Sequence, residues 1–126
     1  MYPQALAELK RGAKGSHWMW FVFPQIAGLG FSPMAQLYAI GSLGEARAYL
    51  DHPRLGARLR EATEAVLGHG DTTAEAIFGP IDAMKFRSSM TLFEAAAEEP
   101  APFADALDAF YDGERDPATL RLLAAA

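Results

Sequence analysis

The amino-acid sequence predicts an all-α protein, a compact multihelical domain of about six to seven helices. Capping residues and prolines typical of helix starts recur along the chain, and several segments carry apolar residues at helical spacing. Alternating apolar and polar residues, which are typical of half-buried strands, are nearly absent. At 126 residues the chain can form one hydrophobic core and is too short for two. We therefore expect residues 1–126 to form a single helical domain.

In the first half of the chain, residue pairs with the properties of helix starts define the elements. Ser32 followed by Pro33 combines an N-cap with a first-position proline. Ser42 and Glu45 have the spacing of a capping box, in which each side chain bonds a free N–H group of the first turn. The helices expected in this half span residues 3–14, 33–40 and 42–51.

The second half shows the same signals more strongly. Pro53 begins the clearest amphipathic helix, which places leucine, alanine and valine side chains on one face. Thr72 and Glu75 form another capping-box pair, and Gly79 ends the short helix that follows. Asp116 before a proline is expected to cap the last helix. The elements expected here begin at residues 53, 73, 81, 103 and 117, and the longest runs over residues 81–97.

The segment from residue 16 to residue 25 is the exception to this pattern. It reads Ser-His-Trp-Met-Trp-Phe-Val-Phe-Pro-Gln and contains five aromatic side chains if His17 is included. A run of this length suits either a buried strand or a two-turn helix, and periodicity cannot decide between them. The fold therefore includes one candidate for a short extended aromatic segment, which Pro24 ends in either case.

Composition and charge exclude several classes of function. The chain has no cysteine, which excludes disulfides, thiolate metal sites and cysteine nucleophiles, and fits a reducing cytoplasm. Residues 1–60 carry a net charge of +4 and residues 61–126 a net charge of −9, but the basic residues form no dense stripe. We therefore expect no nucleic-acid partner, no membrane partner, no metal and no cofactor. A protein partner is not identified by the sequence.

Three polar residues of the long helix lie inside its apolar arc. At 100° per residue, Asp82, Lys85 and Ser89 fall among side chains such as Phe86 and Leu92. Charges in such positions are costly unless they are paired, and they often mark functional sites. The alternative interpretation is an ordinary ion pair between residues three positions apart near a helix start.

The aromatic segment supplies the other half of a candidate pocket. Trp18, Trp20 and Tyr38 could form a stacking wall, and His17 is a candidate acid or base. A wall of aromatic groups with a few polar side chains suits a ligand that combines a base with a phosphate. The alternative is that the tryptophans belong to the core and that the histidine is structural. The remaining polar residues assigned to this pocket as ligand-binding are Lys14, Ser16, Gln25, Gln36, Ser88 and Ser89.

The motifs of residues 16–25, 36–40, 45–50 and 82–93 resemble those of the bacterial family called domain of unknown function 1810, over nearly the whole chain. Members sometimes carry the automatic label calpastatin and usually have an additional segment before Tyr2. The resemblance implies a small, mostly helical fold with no established activity. More distantly, Gln36, Tyr38 and the pair Lys85-Phe86 are similar to the NADAR superfamily, which implies ADP-ribose derivatives and cleavage of N-glycosidic bonds.

Three functions are compatible with these observations. The first is a hydrolase for an N-glycosidic bond in a nucleotide-like molecule, with His17, Asp82 and Lys85 as catalytic residues. The second is a binding module that uses the same pocket for a nucleotide- or ADP-ribose-like ligand without chemistry. The third is a structural or protein-interaction domain in which Asp82 and Lys85 form an internal ion pair.

Overall fold

Nine helices make up the computed structural model, which describes residues 1–125. The all-α prediction is confirmed, but the expected six to seven helices was too low. The sequence leaves the segment that contains α2 open between a strand and a helix, because four helical residues are too few to show a helical period. The five residues of α6 were expected from their capping residues. The helices are α1 (Tyr2–Arg11), α2 (Met19–Val22), α3 (Pro33–Tyr38), α4 (Leu43–Asp51), α5 (Pro53–Leu67), α6 (Ala74–Phe78), α7 (Pro80–Ala96), α8 (Phe103–Tyr111) and α9 (Pro117–Ala125).

Most of the predicted helix starts are observed with their caps. The Ser32 hydroxyl accepts a hydrogen bond from the Ala35 N–H at 3.1 Å, and Ser42 accepts one from the Glu45 N–H at 3.1 Å. The cap of α6 is Thr73 and not Thr72 as predicted, because the Thr73 hydroxyl accepts the Ala76 N–H at 3.0 Å. Thr72 and Thr73 both carry a hydroxyl group that could cap the helix, and only the backbone geometry decides which of them does so.

Helix α7 lies at the centre of the molecule and packs against α4, α6, α8 and α9. Its Phe86 ring is fully buried, with centroids 4.9 Å from those of both Phe23 and Phe78. Because Phe23 follows α2 and Phe78 ends α6, these rings join the aromatic segment to the middle of the fold.

The aromatic segment forms one turn of helix and no strand within residues 1–125. An isolated parallel bridge between Ile26 and Ile40 follows it. The Ala27 N–H donates to the Ile40 carbonyl and the Ile40 N–H to the Gln25 carbonyl, both at 2.8 Å. These bonds close the base of an excursion, residues 27–39, which contains α3.

By helical periodicity Arg87, Thr91 and Glu94 lie opposite the apolar arc of α7, a position that predicts contact with water, and this prediction is wrong. The Thr91 hydroxyl is buried and accepts the Asp116 N–H at 2.9 Å. Arg87 donates to two carbonyls of the segment before α9, and Glu94 pairs with Arg115. The connection from α8 to α9 thus covers this face with polar groups, a possibility that helical periodicity does not reveal.

Candidate functional site

A buried carboxylate that the sequence did not indicate as a candidate residue binds the segment before α2 through hydrogen bonds. Glu8 of α1 accepts hydrogen bonds from the Gly15 N–H at 2.7 Å, the Ser16 N–H at 3.0 Å and the Trp18 indole N–H at 2.8 Å. Its second oxygen accepts the Ser16 hydroxyl at 2.6 Å. The only signal in the sequence is that Glu8 lies between the apolar positions of α1, which does not distinguish it from an exposed glutamate.

These donors determine the charge state of Glu8. Burial alone raises the pKa of a carboxyl group, because it disfavours the charged form. The bonds from the Ser16 hydroxyl, the Gly15 N–H and the Trp18 indole outweigh burial and lower the pKa of Glu8 to about 2. Glu8 is therefore a carboxylate whose oxygens are occupied by the fold itself. We assign it a structural role.

Three of the residues predicted for the site meet at the start of α7. The Lys14 ammonium lies 2.9 Å from one carboxylate oxygen of Asp82, and the Lys85 ammonium lies 3.5 Å from the other. The Lys14 side chain is only 9% exposed, and its Nζ lies 5.2 Å from the centroid of the Trp18 ring. The backbone N–H of Lys14 also donates to the Ile77 carbonyl at 2.8 Å, which fixes the segment between α1 and α2 beside the end of α6.

The helix start beside this cluster has no side-chain cap. Gly79 occupies the N-cap position of α7 and has no side chain to accept the free N–H groups of the first turn. It adopts φ +84°, a conformation that favours glycine, and a Cβ atom placed there would meet nothing within 4 Å. The first turn of this 17-residue helix therefore has no side-chain cap, and Asp82 of the same turn contacts both ammonium groups.

Farther along α7, the two predicted serines have different environments. Ser89 is fully buried, and its hydroxyl has no hydrogen-bond partner among the described residues. By helical spacing it lies on the same side of α7 as Asp82 and Lys85. The Ser88 hydroxyl instead contacts the Met84 carbonyl at 3.2 Å and the Asp116 carboxylate at 3.1 Å. Ser88 therefore belongs to the contact between α7 and α9.

The structure does not assemble the aromatic residues into the predicted wall. Trp18 is buried with its indole N–H on Glu8, so its ring belongs to the core. Trp20 and Tyr38 stack on each other with centroids 5.9 Å apart and an interplanar angle of 15°. Both remain partly accessible to solvent, and His17 is exposed.

The other predicted ligand-binding residues are mostly used in local contacts. The Ser16 hydroxyl donates to Glu8, and the Gln36 amide donates to the Phe31 carbonyl at 3.0 Å. Gln25 is half-buried, and its carbonyl takes part in the bridge to Ile40. The cluster of Lys14, Asp82 and Lys85 is thus the part of the predicted site that the fold brings into direct contact.

Two cavities stand out among residues 1–125, and the predicted site residues line neither of them. The larger one, of about 560 Å³, lies between α4, α5 and the end of α7. The smaller one, of about 30 Å³, is lined by Tyr2, Tyr49 and neighbouring side chains of α2 and α5. The Lys14–Asp82–Lys85 cluster therefore belongs to neither cavity. Its Lys14 and Asp82 side chains are largely buried, and Lys85 is its most exposed member.

Two further properties concern classes of partner. None of the helices within residues 1–125 is both long and apolar enough to cross a membrane. Across the same part of the chain, the histidine, aspartate and glutamate side chains form no group of three that could hold a metal ion.

Comparisons with known proteins identify relatives of the same fold. The family described as "Protein of unknown function (DUF1810)" matches residues 1–123. The crystal structure of the conserved hypothetical protein Rv1873 from Mycobacterium tuberculosis superposes with a TM-score of 0.96 at 48% sequence identity, covering 99% of this chain and 89% of that one. A comparison with curated proteins gave no match, and neither the calpastatin label nor the NADAR resemblance is supported by these findings. Because the match covers nearly the whole chain, the protein belongs to the DUF1810 family.

Proposed function

We propose that the protein binds a phosphate-bearing, nucleotide-like small molecule at the start of α7. The observation that carries the proposal is the convergence of the Lys14 and Lys85 ammonium groups on Asp82 beside an uncapped helix N-terminus. Two cations against one carboxylate leave a positive excess at this point. Free backbone N–H groups and the helix dipole attract an anion to the same place.

Two observations bear on how such a ligand would be held. Lys85 is the more exposed of the two lysines, so its ammonium can turn from Asp82 towards a phosphate at little cost. Trp20 and Tyr38 are the aromatic side chains still accessible to a base, whereas Trp18 is not.

Hydrolysis of an N-glycosidic bond is the chemical extension of this proposal. As the glycosidic C–N bond breaks, Asp82 would supply negative charge near the developing oxocarbenium ion and the exposed His17 would donate a proton to the departing base. Water would then add to the sugar carbon and return a proton to the imidazole. The DUF1810 match does not identify a reaction, so binding and turnover need separate measurements. A cytoplasmic location stays a prediction from the absence of cysteine.

The test is isothermal titration of the full chain with ADP-ribose, AMP, adenosine and inorganic phosphate. The proposal expects binding of the phosphate-bearing ligands, no binding of adenosine, and an affinity that falls at least about tenfold in Lys85→Met. Lys10→Met is the matched control, because Lys10 is an exposed lysine in the last turn of α1. In a separate assay, the protein is incubated with each of these compounds and with NAD, and chromatography detects any base that is released. If none of the phosphate compounds binds, or if Lys10→Met weakens binding as much as Lys85→Met, the proposal is wrong.

The second candidate is a structural or interaction domain without a ligand. It is favoured by the burial of Lys14, which makes its pair with Asp82 an internal link between the segment before α2 and α7. Asp82→Asn distinguishes the candidates. A lower stability with no ligand response in either protein supports the structural role, whereas an unchanged stability with loss of the wild-type ligand response supports the binding site.

A further inference from the structure

Helix α3 and its flanking segments form a surface without charges. Residues 18–44 contain no lysine, arginine, histidine, aspartate or glutamate, although charged residues make up 21% of the whole chain. Helix α3 has no buried residue. Phe31 is 83% exposed and Leu37 is 71% exposed, and Met34 and Tyr38 are also exposed. We call the solvent-accessible residues within the range 18–44 the uncharged surface.

The uncharged surface is held in place by the rest of the fold. The hydrogen bonds between Ala27, Ile40 and Gln25 close the base of the excursion that carries α3. The Tyr38 ring stacks on Trp20 and meets Phe21 edge-on, with both centroid distances at 5.9 Å. A surface fixed at its base and at one ring has less freedom to lose when it is covered.

Its composition is that of the centre of a protein interface. Such centres are depleted of charged residues and enriched in aromatic residues and methionine. A single exposed leucine is common on protein surfaces and would need no explanation. Here Phe31, Met34, Leu37 and Tyr38 lie within eight consecutive positions. An exposed apolar group of this kind indicates that something covers it.

We propose that a second copy of this chain covers the uncharged surface, forming a symmetric homodimer. In a two-fold interface the same patch meets itself, so a charge close to the symmetry axis would face the like charge of its own copy. The absence of charges over 27 consecutive residues removes this repulsion. It also removes the charge complementarity through which a different partner would be selected.

The size of the surface fits this occupant. One side of a stable interface uses about 20–30 residues and buries about 800 Å². Within residues 18–44, 20 residues are at least partly accessible to solvent. The uncharged surface can therefore provide one side of a standard interface, with α3 at its centre and the Trp20–Tyr38 stack at its edge.

Sedimentation velocity of the full chain tests the proposal. At protein concentrations up to about 100 µM, the wild type is expected to sediment as a dimer, with twice the monomer mass of 13.6 kDa. Leu37→Glu and Phe31→Asp are expected to raise the dimer dissociation constant at least about tenfold. Ile81→Glu and Met84→Glu are the matched controls, because both residues are 71% exposed, as Leu37 is, but lie on α7. A monomeric wild type, or an equal effect of the α7 controls, overturns the proposal.

Cross-linking gives a second measurement that does not depend on destabilising the surface. Because the natural chain has no cysteine, Leu37→Cys introduces a single thiol. Mild oxidation is expected to join two Leu37→Cys chains by one disulfide, with loss of two protons and two electrons to the added oxidant, faster than it joins Met84→Cys chains. Equal cross-linking of the two variants counts against the proposed interface. Both measurements are made without ligand, so their outcomes do not depend on binding at the start of α7, although the Trp20–Tyr38 stack belongs to both proposals.

Discussion

Replacing Glu8 by glutamine is expected to remove a pH-dependent part of the stability of this protein. The carboxylate accepts four hydrogen bonds from residues 15–18, three of them from N–H groups. An amide of the same shape has only one oxygen and would turn an NH₂ group towards donors. We therefore expect Glu8→Gln to be less stable at neutral pH by about 2–4 kcal/mol, the usual cost of leaving buried donors unpaired.

The pKa of Glu8 gives the size and sign of the pH effect. A decrease from 4.5 to about 2 corresponds to at most about 3 kcal/mol. Solvent reaches Gln4 and Ser16 next to this carboxylate, so screening reduces the expected value to about 1–2 kcal/mol. Because the folded pKa is the lower one, this stabilisation is complete above about pH 5 and is lost as the pH falls from 4.5 towards 2.

Urea unfolding of wild type and variant at several pH values measures this effect. The difference in unfolding free energy should be largest near about pH 7 and should shrink by about 1–2 kcal/mol by about pH 3. Other carboxylates contribute to both proteins and cancel in the difference. Glu64→Gln, at an exposed position of α5, should change stability by less than about 0.5 kcal/mol at each pH. A difference between wild type and Glu8→Gln that stays constant from neutral to acid pH would refute the assignment of Glu8.

Three further substitutions test the packing of the fold by the same unfolding measurement. Gly56→Ala should lower the free energy of unfolding by more than about 3 kcal/mol, because the new Cβ atom on α5 would lie 2.0 Å from the Leu50 carbonyl oxygen of α4. Gly70→Ala is the control and should be nearly neutral, because the nearest atom to its Cβ would lie 3.6 Å away. Asp116→Ala should cost about 1–2 kcal/mol, because its carboxylate caps α9 through an N–H bond of 3.0 Å. Phe86→Ala should cost about 3–5 kcal/mol, since the ring is fully buried among other aromatic rings. A loss below about 1 kcal/mol for either Gly56→Ala or Phe86→Ala would contradict the packing described for α5 or α7.

Local signals in the sequence were sufficient where a helix start depends on a few neighbouring residues. Ser32 and Ser42 cap the helices that they were predicted to cap, and α5 begins at Pro53 as expected. The pairing of Asp82 with Lys85 was also predictable, because residues three positions apart on a helix lie next to each other. Each of these features spans only a few positions, so the backbone conformation alone brings the groups together.

Tertiary structure decided the features that join distant parts of the chain. No local pattern indicated that Lys14 would reach Asp82, that Glu8 would hold the segment before α2, or that Thr91 would be covered by the connection to α9. The aromatic segment forms one turn of helix, and the Phe23 ring that follows it packs against Phe78 and Phe86, which lie more than 50 positions away. Helical periodicity shows which face a side chain occupies. The protein surface that covers that face depends on how the whole chain packs.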